Sequence, residues 1–448
     1  MRRATKTILK VVAAVAVSPL VIASLVALRV SLYTGPRFTP PVMPDGWGDG
    51  LTVTEDGDGT LRCRRSQCQT AKEGLTVVTL RGNAAERGAD YAAMCGGLIR
   101  RQEEVFLSRT IEAVGGQWTL RAMLWVADAA GFDFSKFMTE DLRQETWAMA
   151  QACAPHSQYD DLGDAYTRQI LYQAAHDMGH AMSQHLSMTD VKAGCTSFAV
   201  RGHRAAGRQL IEGRNFDFYF GDEFARQKMI LIEEPDSGPR HISVCWPGML
   251  GVVSGMNSAG LSVTINAAPA EIPLEPRTPV TALTHLILAN ATTIAEAEAL
   301  AAKARLMVGE SVMICSVADS SAAVIEMGPQ GMATRRMKDD RIISANHFET
   351  AAMNPSGFST ADSRTRRHRM ETLTDSLTPI GTAEAMAILR DKTLPDGSQA
   401  TADDDMAINQ TLAHHAVVLL PDSLALWVAT EPGKAAPFLR FELVADAK

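Results

Sequence analysis

The residue best placed to do chemistry is a cysteine that follows a glycine where helical texture gives way to strand. In Ala193-Gly194-Cys195-Thr196-Ser197, the glycine leaves the backbone free to take angles that other residues resist. A thiol there can attack its own preceding carbonyl, shift the chain onto sulfur as a thioester, and let water cut it. The new terminus at Cys195 carries an α-amino group of reference pKa about 7.7–8.0, against about 8.5 for a thiol. One residue then supplies both nucleophile and general base, as an N-terminal threonine does elsewhere. Taken alone, Gly-Cys-Thr-Ser is a weak signal and reads first as a structural cysteine at the start of a strand.

The neighbours sharpen the reading. Gly213-Arg214-Asn215-Phe216-Asp217-Phe218 follows at the distance of one strand, a turn and a returning strand. An antiparallel return sets Arg214 and Asp217 against the cysteine. A carboxylate there can orient an α-ammonium, and a guanidinium can hold a thiolate or a substrate carboxylate. Without Cys195 the same pair reads as an ordinary strand ion pair.

The elements that must position these groups come in blocks. Residues 84–186 have a helical pattern, and after Gly194 short strand-like runs begin: CTSFAV, KMILIEE, HISVCWPG, LGVVSGM and LSVTINA. Asn257-Ser258-Ala259-Gly260 reads as a hairpin turn between two of them. Helix returns at 278–307, strands at 311–346, helix at 362–393, and two last strands at HHAVVLLP and ALWVAT. Blocks of helices and hairpinned strands point to a layered α+β fold with antiparallel sheets.

Residues 31–75, rich in Pro, Gly and Asp, read as a stalk or linker. Before them Arg2, Arg3 and Lys6 precede an apolar run from Val11 to Leu28. That run is just long enough to span a bilayer, or else it is a cleaved signal with a small-residue site near Ala27. Positive charge on its leading side puts the body outside the cytoplasm in both cases. The expected division is therefore a membrane or signal segment over 1–30, a stalk over 31–75, a helical pro-region over 76–194 and a catalytic core over 195–448.

With these motifs in place, the chain resembles the peptidase C45 family, relatives of the acyl-coenzyme A:6-aminopenicillanate acyltransferase among the N-terminal-nucleophile hydrolases. Choloylglycine hydrolases, penicillin V acylases and acid ceramidases share the plan. The likeness runs from about Val77 to the C-terminus through LRGNAAERGADYAAMCGG at 80–97, GCTSFAV at 194–200, GRNFDF at 213–218, GMNSAGLSVTINA at 255–267, ISANHF at 343–348 and DSRTRRHRM at 362–370. The resemblance implies a four-layer αββα core, self-cleavage between Gly194 and Cys195, and two fragments that stay associated. It implies Cys195 as nucleophile and base, Asp217 as the partner of its amine, and Asn266 and Asn346 as oxyanion donors. It also implies an arginine from 362–370, with Arg366 favoured and Arg364 left open. The acyltransferase carries Gln where this chain has Arg214, whereas the bile-salt hydrolase and ceramidase relatives carry Arg. Hydrolysis of a small N-acylated amine or amide is thus expected ahead of acyl transfer, with no cofactor and no metal.

Other signals point elsewhere and are weaker. His176 and His180 stand one helical turn apart as metal ligands do, but the Glu of the zincin motif is missing and Gly179 weakens a helix, so an ordinary helix surface is expected. His414-His415 opens a strand, where alternation turns one ring inward. Cys63 and Cys68 could close a small disulfide loop in an oxidising compartment. Cys95, Cys153, Cys245 and Cys315 read as single buried thiols. A net charge of −8 without a basic footprint excludes nucleic acid as partner. No glycine-rich phosphate loop and no G-x-S-x-G elbow are present. A non-catalytic, surface-tethered binding protein is the reading from a different class.

Overall fold

The structure is a computed structural model that describes residues 23–70, 75–154, 158–186, 194–218, 220–401, 404–410, 413–430 and 436–443. Helix α1 occupies residues 23–32. Strands β1 (Val53–Glu55), β2 (Leu61–Cys63), β3 (Ser66–Thr70) and β4 (Thr76–Gly82) lead into a helical block. That block contains α2 (Ala84–Ala113), α3 (Gln117–Ala129), α4 (Glu140–Ala150), α5 (Ala165–Gln173) and α6 (Ala175–Leu186). After Gly194 come β5 (Thr196–Val200), β6 (Ile211–Asp217), the short α7 (Asp222–Arg226), β7 (Met229–Pro235), β8 (His241–Cys245), β9 (Ser254–Asn257) and β10 (Leu261–Ala268). Helices α8 (Val280–Asn290) and α9 (Ile294–Ala301) precede β11 (Gly309–Ser316), β12 (Ser321–Gly328), β13 (Gly331–Arg336) and β14 (Arg341–Ser344). The chain closes with α10 (Ala361–Ser376), α11 (Thr382–Leu389), β15 (Ala413–Leu420), β16 (Ala425–Ala429) and β17 (Leu439–Glu442).

Two sheets form, ordered β1-β2-β3-β4-β7-β8-β9-β10-β11-β12-β13 and β14-β5-β6-β15-β16-β17. Their inner faces meet in one apolar layer, where Val77, Ile230, Ile242 and Met256 of the first pack with Val417, Leu419 and Val428 of the second. Side chains of a strand alternate between faces, so β4 turns Val78 and Leu80 outward onto Tyr91, Met94 and Ile99 of α2. Helices α8 and α9 cover the rest of that outer face, and α10 and α11 cover the outside of the second sheet. The order helix, sheet, sheet, helix is the layered α+β arrangement expected.

Local chemistry sets the helical block. Asn83 and Glu86 form a reciprocal capping box at the start of α2. Gly88 lets α4 approach so closely that a Cβ there would lie 2.2 Å from the Glu145 carbonyl oxygen. At that crossing Arg87 and Glu145 pair at 2.5 Å, wholly buried.

Several expectations need correction. The 31–75 segment is no bare stalk, since β1, β2 and β3 extend the large sheet within it. The pro-region opens with β4, which pairs in parallel with β7 from Thr76↔Met229 to Gly82↔Pro235, so its chain is built into the core sheet. Helix 278–307 divides at Ala291, and β17 was not foreseen. All seven cysteines are free and buried. The β2–β3 register sets Cys63 opposite Ser66 and Cys68 opposite Leu61, so the proposed disulfide partners do not face each other. Residues 11–22 of the apolar run lie outside the described residues; among those described, no helix is long and apolar enough to cross a membrane.

The inter-sheet layer generates a stability test. Leu419→Ala deletes a fully buried side chain there and is expected to destabilise the fold by about 2–5 kcal/mol, read as a lower urea midpoint with an unchanged slope.

Candidate active site

Cys195 sits at the head of β5, and β6 returns beside it with Ser197 opposite Arg214 and Thr196 opposite Asn215. Both strands are buried along their whole length. Gly213 makes that pairing possible, because a Cβ there would fall 2.4 Å from the Phe198 ring. The Cys195 thiol is buried, with Sγ 3.7 Å from the Asp217 carbonyl oxygen and 3.7 Å from Arg214 Nη2. The Gly194 amide donates to the same Asp217 carbonyl at 2.9 Å. Arg214 and Asp217 therefore stand where the spacing placed them.

The carbonyl that precedes Cys195 is gripped from two sides. Arg366 Nη1 donates to Gly194 O at 2.6 Å and Gln410 Nε2 donates to it at 3.1 Å. The same Arg366 nitrogen reaches Cys195 O at 2.7 Å and Thr196 Oγ1 at 2.9 Å. Nη2 of Arg366 bonds Asn346 Oδ1 and Asp362 Oδ2, each at 2.9 Å, which fixes the plane of the guanidinium. Gly194 does not occupy the left-handed region, so strained backbone is not its reason. Space is: a Cβ on it would lie 2.4 Å from Gln410 Nε2. Only glycine lets that amide reach the carbonyl.

Asp217 is the group out of balance. It is fully buried, and neither carboxylate oxygen has a hydrogen-bond partner among the described residues. Burial pushes its pKa up to about 7, against the pull of Arg366 and Arg214. Burial also raises the Cys195 thiol, with Arg214 opposing. Arg214 is held over the Phe216 ring at 4.2 Å and donates to Ser254 Oγ at 2.8 Å. Ser254 Oγ in turn meets His415 Nε2 at 3.1 Å. Both His414 and His415 are buried, because a register shift between Ala413 and His415 breaks the expected alternation.

The two asparagines differ. Asn266 Nδ2 donates to Ser197 Oγ at 2.8 Å and to Ser344 O at 3.2 Å, so both of its N–H groups are engaged. Asn346 Nδ2 spends one N–H on Ala267 O at 2.8 Å and borders a cavity of about 440 Å³. Gln410, Asp362 and His180 line the same cavity, whereas Cys195 does not reach it. Arg364 is exposed and bonded to Ser359, whereas Arg366 is buried beside Cys195.

Sequence reasoning missed Gln410, Thr196 and Glu310. Gln410 lies 216 residues from its partner carbonyl, and no local spacing could announce it. His176 is not on a helix surface: it is buried, and Nε2 lies 2.7 Å from Glu310 Oε1. Two groups could hold a metal ion, His176 with His180 and Glu310, and Glu233 with His241 and His285.

Comparison with known proteins adds a family. The family model described as acyl-coenzyme A:6-aminopenicillanic acid acyl-transferase matches residues 204–433, a stretch that begins after Cys195 and includes Arg214, Asp217, Asn266, Asn346, Arg366 and Gln410. An uncharacterized protein of Archaeoglobus fulgidus is 22% identical over 202 residues, 44% of this chain and 33% of its own. The chain thus spans about a third of the length of that curated relative. Among solved structures, the Caenorhabditis elegans ortholog of N-acylethanolamine-hydrolyzing acid amidase is 14% identical with a TM-score of 0.38, over 51% of this chain and 93% of that one. A mutant conjugated bile acid hydrolase from Clostridium perfringens is 15% identical with a TM-score of 0.39, over 56% and 92%. Penicillin V acylase from Agrobacterium tumefaciens is 15% identical with a TM-score of 0.38, over 56% and 86%.

The state of Asp217 makes a prediction for the uncut chain. A folded pKa near 7 against about 3.9 unfolded means that the folded state holds the proton more tightly, so stability falls as pH rises between those values. In a Cys195→Ala background, Asp217→Asn is expected to flatten that fall; an equally steep pH profile in the double variant would contradict the assignment.

Proposed function

The chain belongs to the acyl-coenzyme A:6-aminopenicillanic acid acyl-transferase family, and from that premise we propose that it cuts itself between Gly194 and Cys195 and then hydrolyses a small N-acylated amine. The observation that carries this reading is the pair of donors on the Gly194 carbonyl, Arg366 at 2.6 Å and Gln410 at 3.1 Å. Attack by Cys195 Sγ on the Gly194 carbonyl carbon puts negative charge on that oxygen. Donors already aimed at a developing oxyanion stabilise it without reorganisation. The C–N bond then breaks, the nitrogen takes up a proton as the Cys195 α-amine, and Gly194 is left as a thioester on Sγ. Water hydrolyses that thioester to a Gly194 carboxylate and a free thiol.

Release of the amine answers the imbalance at Asp217. A buried carboxylate without partners is costly, and a new ammonium beside it supplies charge and donors together. The unfinished state of Asp217 in the uncut chain is what a site completed by cleavage requires. In the intact chain the Cys195 thiol does not line the cavity.

In the mature site the α-amine takes the Cys195 thiol proton as sulfur attacks the substrate carbonyl. Asn346, with an N–H to spare at the cavity wall, donates to the oxyanion, while Asn266 orients the head of β5 through Ser197. Arg214 offsets the thiolate charge. The α-ammonium then protonates the leaving amine, and water, activated by the same amine, releases the acid and restores the thiol. Arg214 in place of the acyltransferase glutamine favours water over an amine as acceptor. The fragments stay together because β4, from the first, is hydrogen-bonded to β7 of the second. The basic-then-apolar N-terminus fits a body carried outside the cytoplasm, by an anchor or by a cleaved signal.

Two experiments test this. Wild-type protein given an N-acyl amine and a range of amine acceptors is expected to partition the Cys195 thioester to water; dominant transfer to the amines would make it an acyltransferase on the same site. Gln410→Ala removes one donor from the scissile carbonyl and is expected to slow self-cleavage roughly 10²–10³-fold, followed as loss of the intact chain. Gly194→Ala, which displaces that amide, is expected to slow it comparably. Cleavage at wild-type rate in both would remove the role given to the donor pair.

A further inference from the structure

Helix α6 carries His176 and His180 one turn apart, and β11 presents Glu310 to both. His176 Nε2 is 2.7 Å from Glu310 Oε1. The two imidazole rings stand 4.7 Å apart, centre to centre, at 68°. One ligand atom from each of the three residues lies within 4.8 Å of the others. Nε2 of His180 and the second oxygen of Glu310 have no hydrogen-bond partner among the described residues, and Glu310 is fully buried. Two unused donor atoms thus converge beside a histidine–carboxylate contact.

We propose that His176, His180 and Glu310 form a binding site for a divalent transition-metal ion of the zinc type, bridging the helix before the cut and the sheet after it. Two imidazoles and a carboxylate are the three-ligand set of open zinc sites, and a water completes the tetrahedron. The open position has somewhere to face: His180 lines the cavity of about 440 Å³, next to Gly309. An i, i+4 pair of histidines on one helix face suits a single ion. The spacing alone lacked a third ligand, and the fold supplies it from 130 residues downstream of His180.

Charge around the site agrees. Among the described residues, the charged groups facing it are the carboxyls of Glu310 and Asp177 and the guanidinium of Arg214. Asp177 accepts from the amide of Val280, and Arg214 also answers Cys195 and Asp217. The second cluster is different. Glu233 already meets His241 at 2.6 Å, His285 at 3.3 Å and Arg87 at 3.4 Å, all of them buried, so a guanidinium already stands against its acid. Nδ1 of His176 has no partner among the described residues. Such supporting bonds change metal affinity about 10–100-fold, so a site weaker than a fully supported one is expected.

The experiment uses the full chain carrying Cys195→Ala, which removes the active-site thiol as a competing ligand and keeps every molecule uncut. Zn²⁺ is titrated after metal stripping, and bound metal is counted by elemental analysis. Co²⁺ provides a visible spectrum that separates nitrogen–oxygen ligation from thiolate ligation. One ion per chain is expected, with a Co²⁺ spectrum free of thiolate charge transfer. His180→Ala, at a partly exposed position and with the melting temperature of the metal-free protein monitored, is expected to weaken binding by roughly 100-fold or more, given that supporting residues alone change it about 10–100-fold. Glu310→Gln is expected to do the same with the melting temperature of the metal-free protein monitored in parallel. No bound Zn²⁺, a thiolate spectrum, or equal affinity in His180→Ala would overturn the site. Because the cut is disabled throughout, none of these results bears on self-cleavage.

Discussion

Two hydrogen bonds to one carbonyl oxygen organise the centre of this molecule. Arg366 comes from α10 and Gln410 from the segment before β15, and both converge on Gly194 O. Gln410 can do so only because residue 194 lacks a side chain, and Arg366 is held in place by Asn346 and Asp362. The remaining geometry follows. Since β6 lies antiparallel to β5, Arg214 and Asp217 fall beside the same peptide bond, and a buried carboxylate is left without a hydrogen-bond partner among the described residues. In the proposed reading, a carbonyl held by two donors on one side and an unsatisfied acid on the other belong to the state before cleavage.

The layers explain why such a state can be held. Charge is buried at the site because β5 and β6 are inner strands with cover on both faces. The helical block is not an appended lid, for β4 enters the large sheet next to β7 and the Arg87–Glu145 pair ties α2 to α4 beneath it. A chain opened at residue 194 would keep those ladder bonds. In the proposed reading the fragment before the cut is a permanent part of the enzyme, and α6 remains a wall of the substrate cavity.

Much of this was legible, and the exceptions share a cause. Cys195, Arg214 and Asp217 could be read because a strand, a turn and a returning strand is a local pattern. Arg366 and Asn346 came from likeness to a family, and of the two arginines left open it is Arg366 that is buried beside Cys195. Gly194 was read as a place for strained backbone, but it is not in the left-handed region, and what its missing side chain gives is room for Gln410. Gln410 and Glu310 could not be found, because each acts across the fold on a residue far away in sequence. Strands β1 to β3 were missed because they are short, polar and partly exposed, so no alternation marks them. The paired burial of His414 and His415 depends on a bulge that a period of two cannot express.

The most direct test of the central claim is intact mass with N-terminal sequencing of freshly made wild-type protein beside Cys195→Ala. The account predicts a chain beginning at Cys195 in the wild type, co-purifying with the fragment that ends at Gly194, and only the unbroken chain in the variant. Active wild-type protein whose Gly194–Cys195 bond is intact would contradict it.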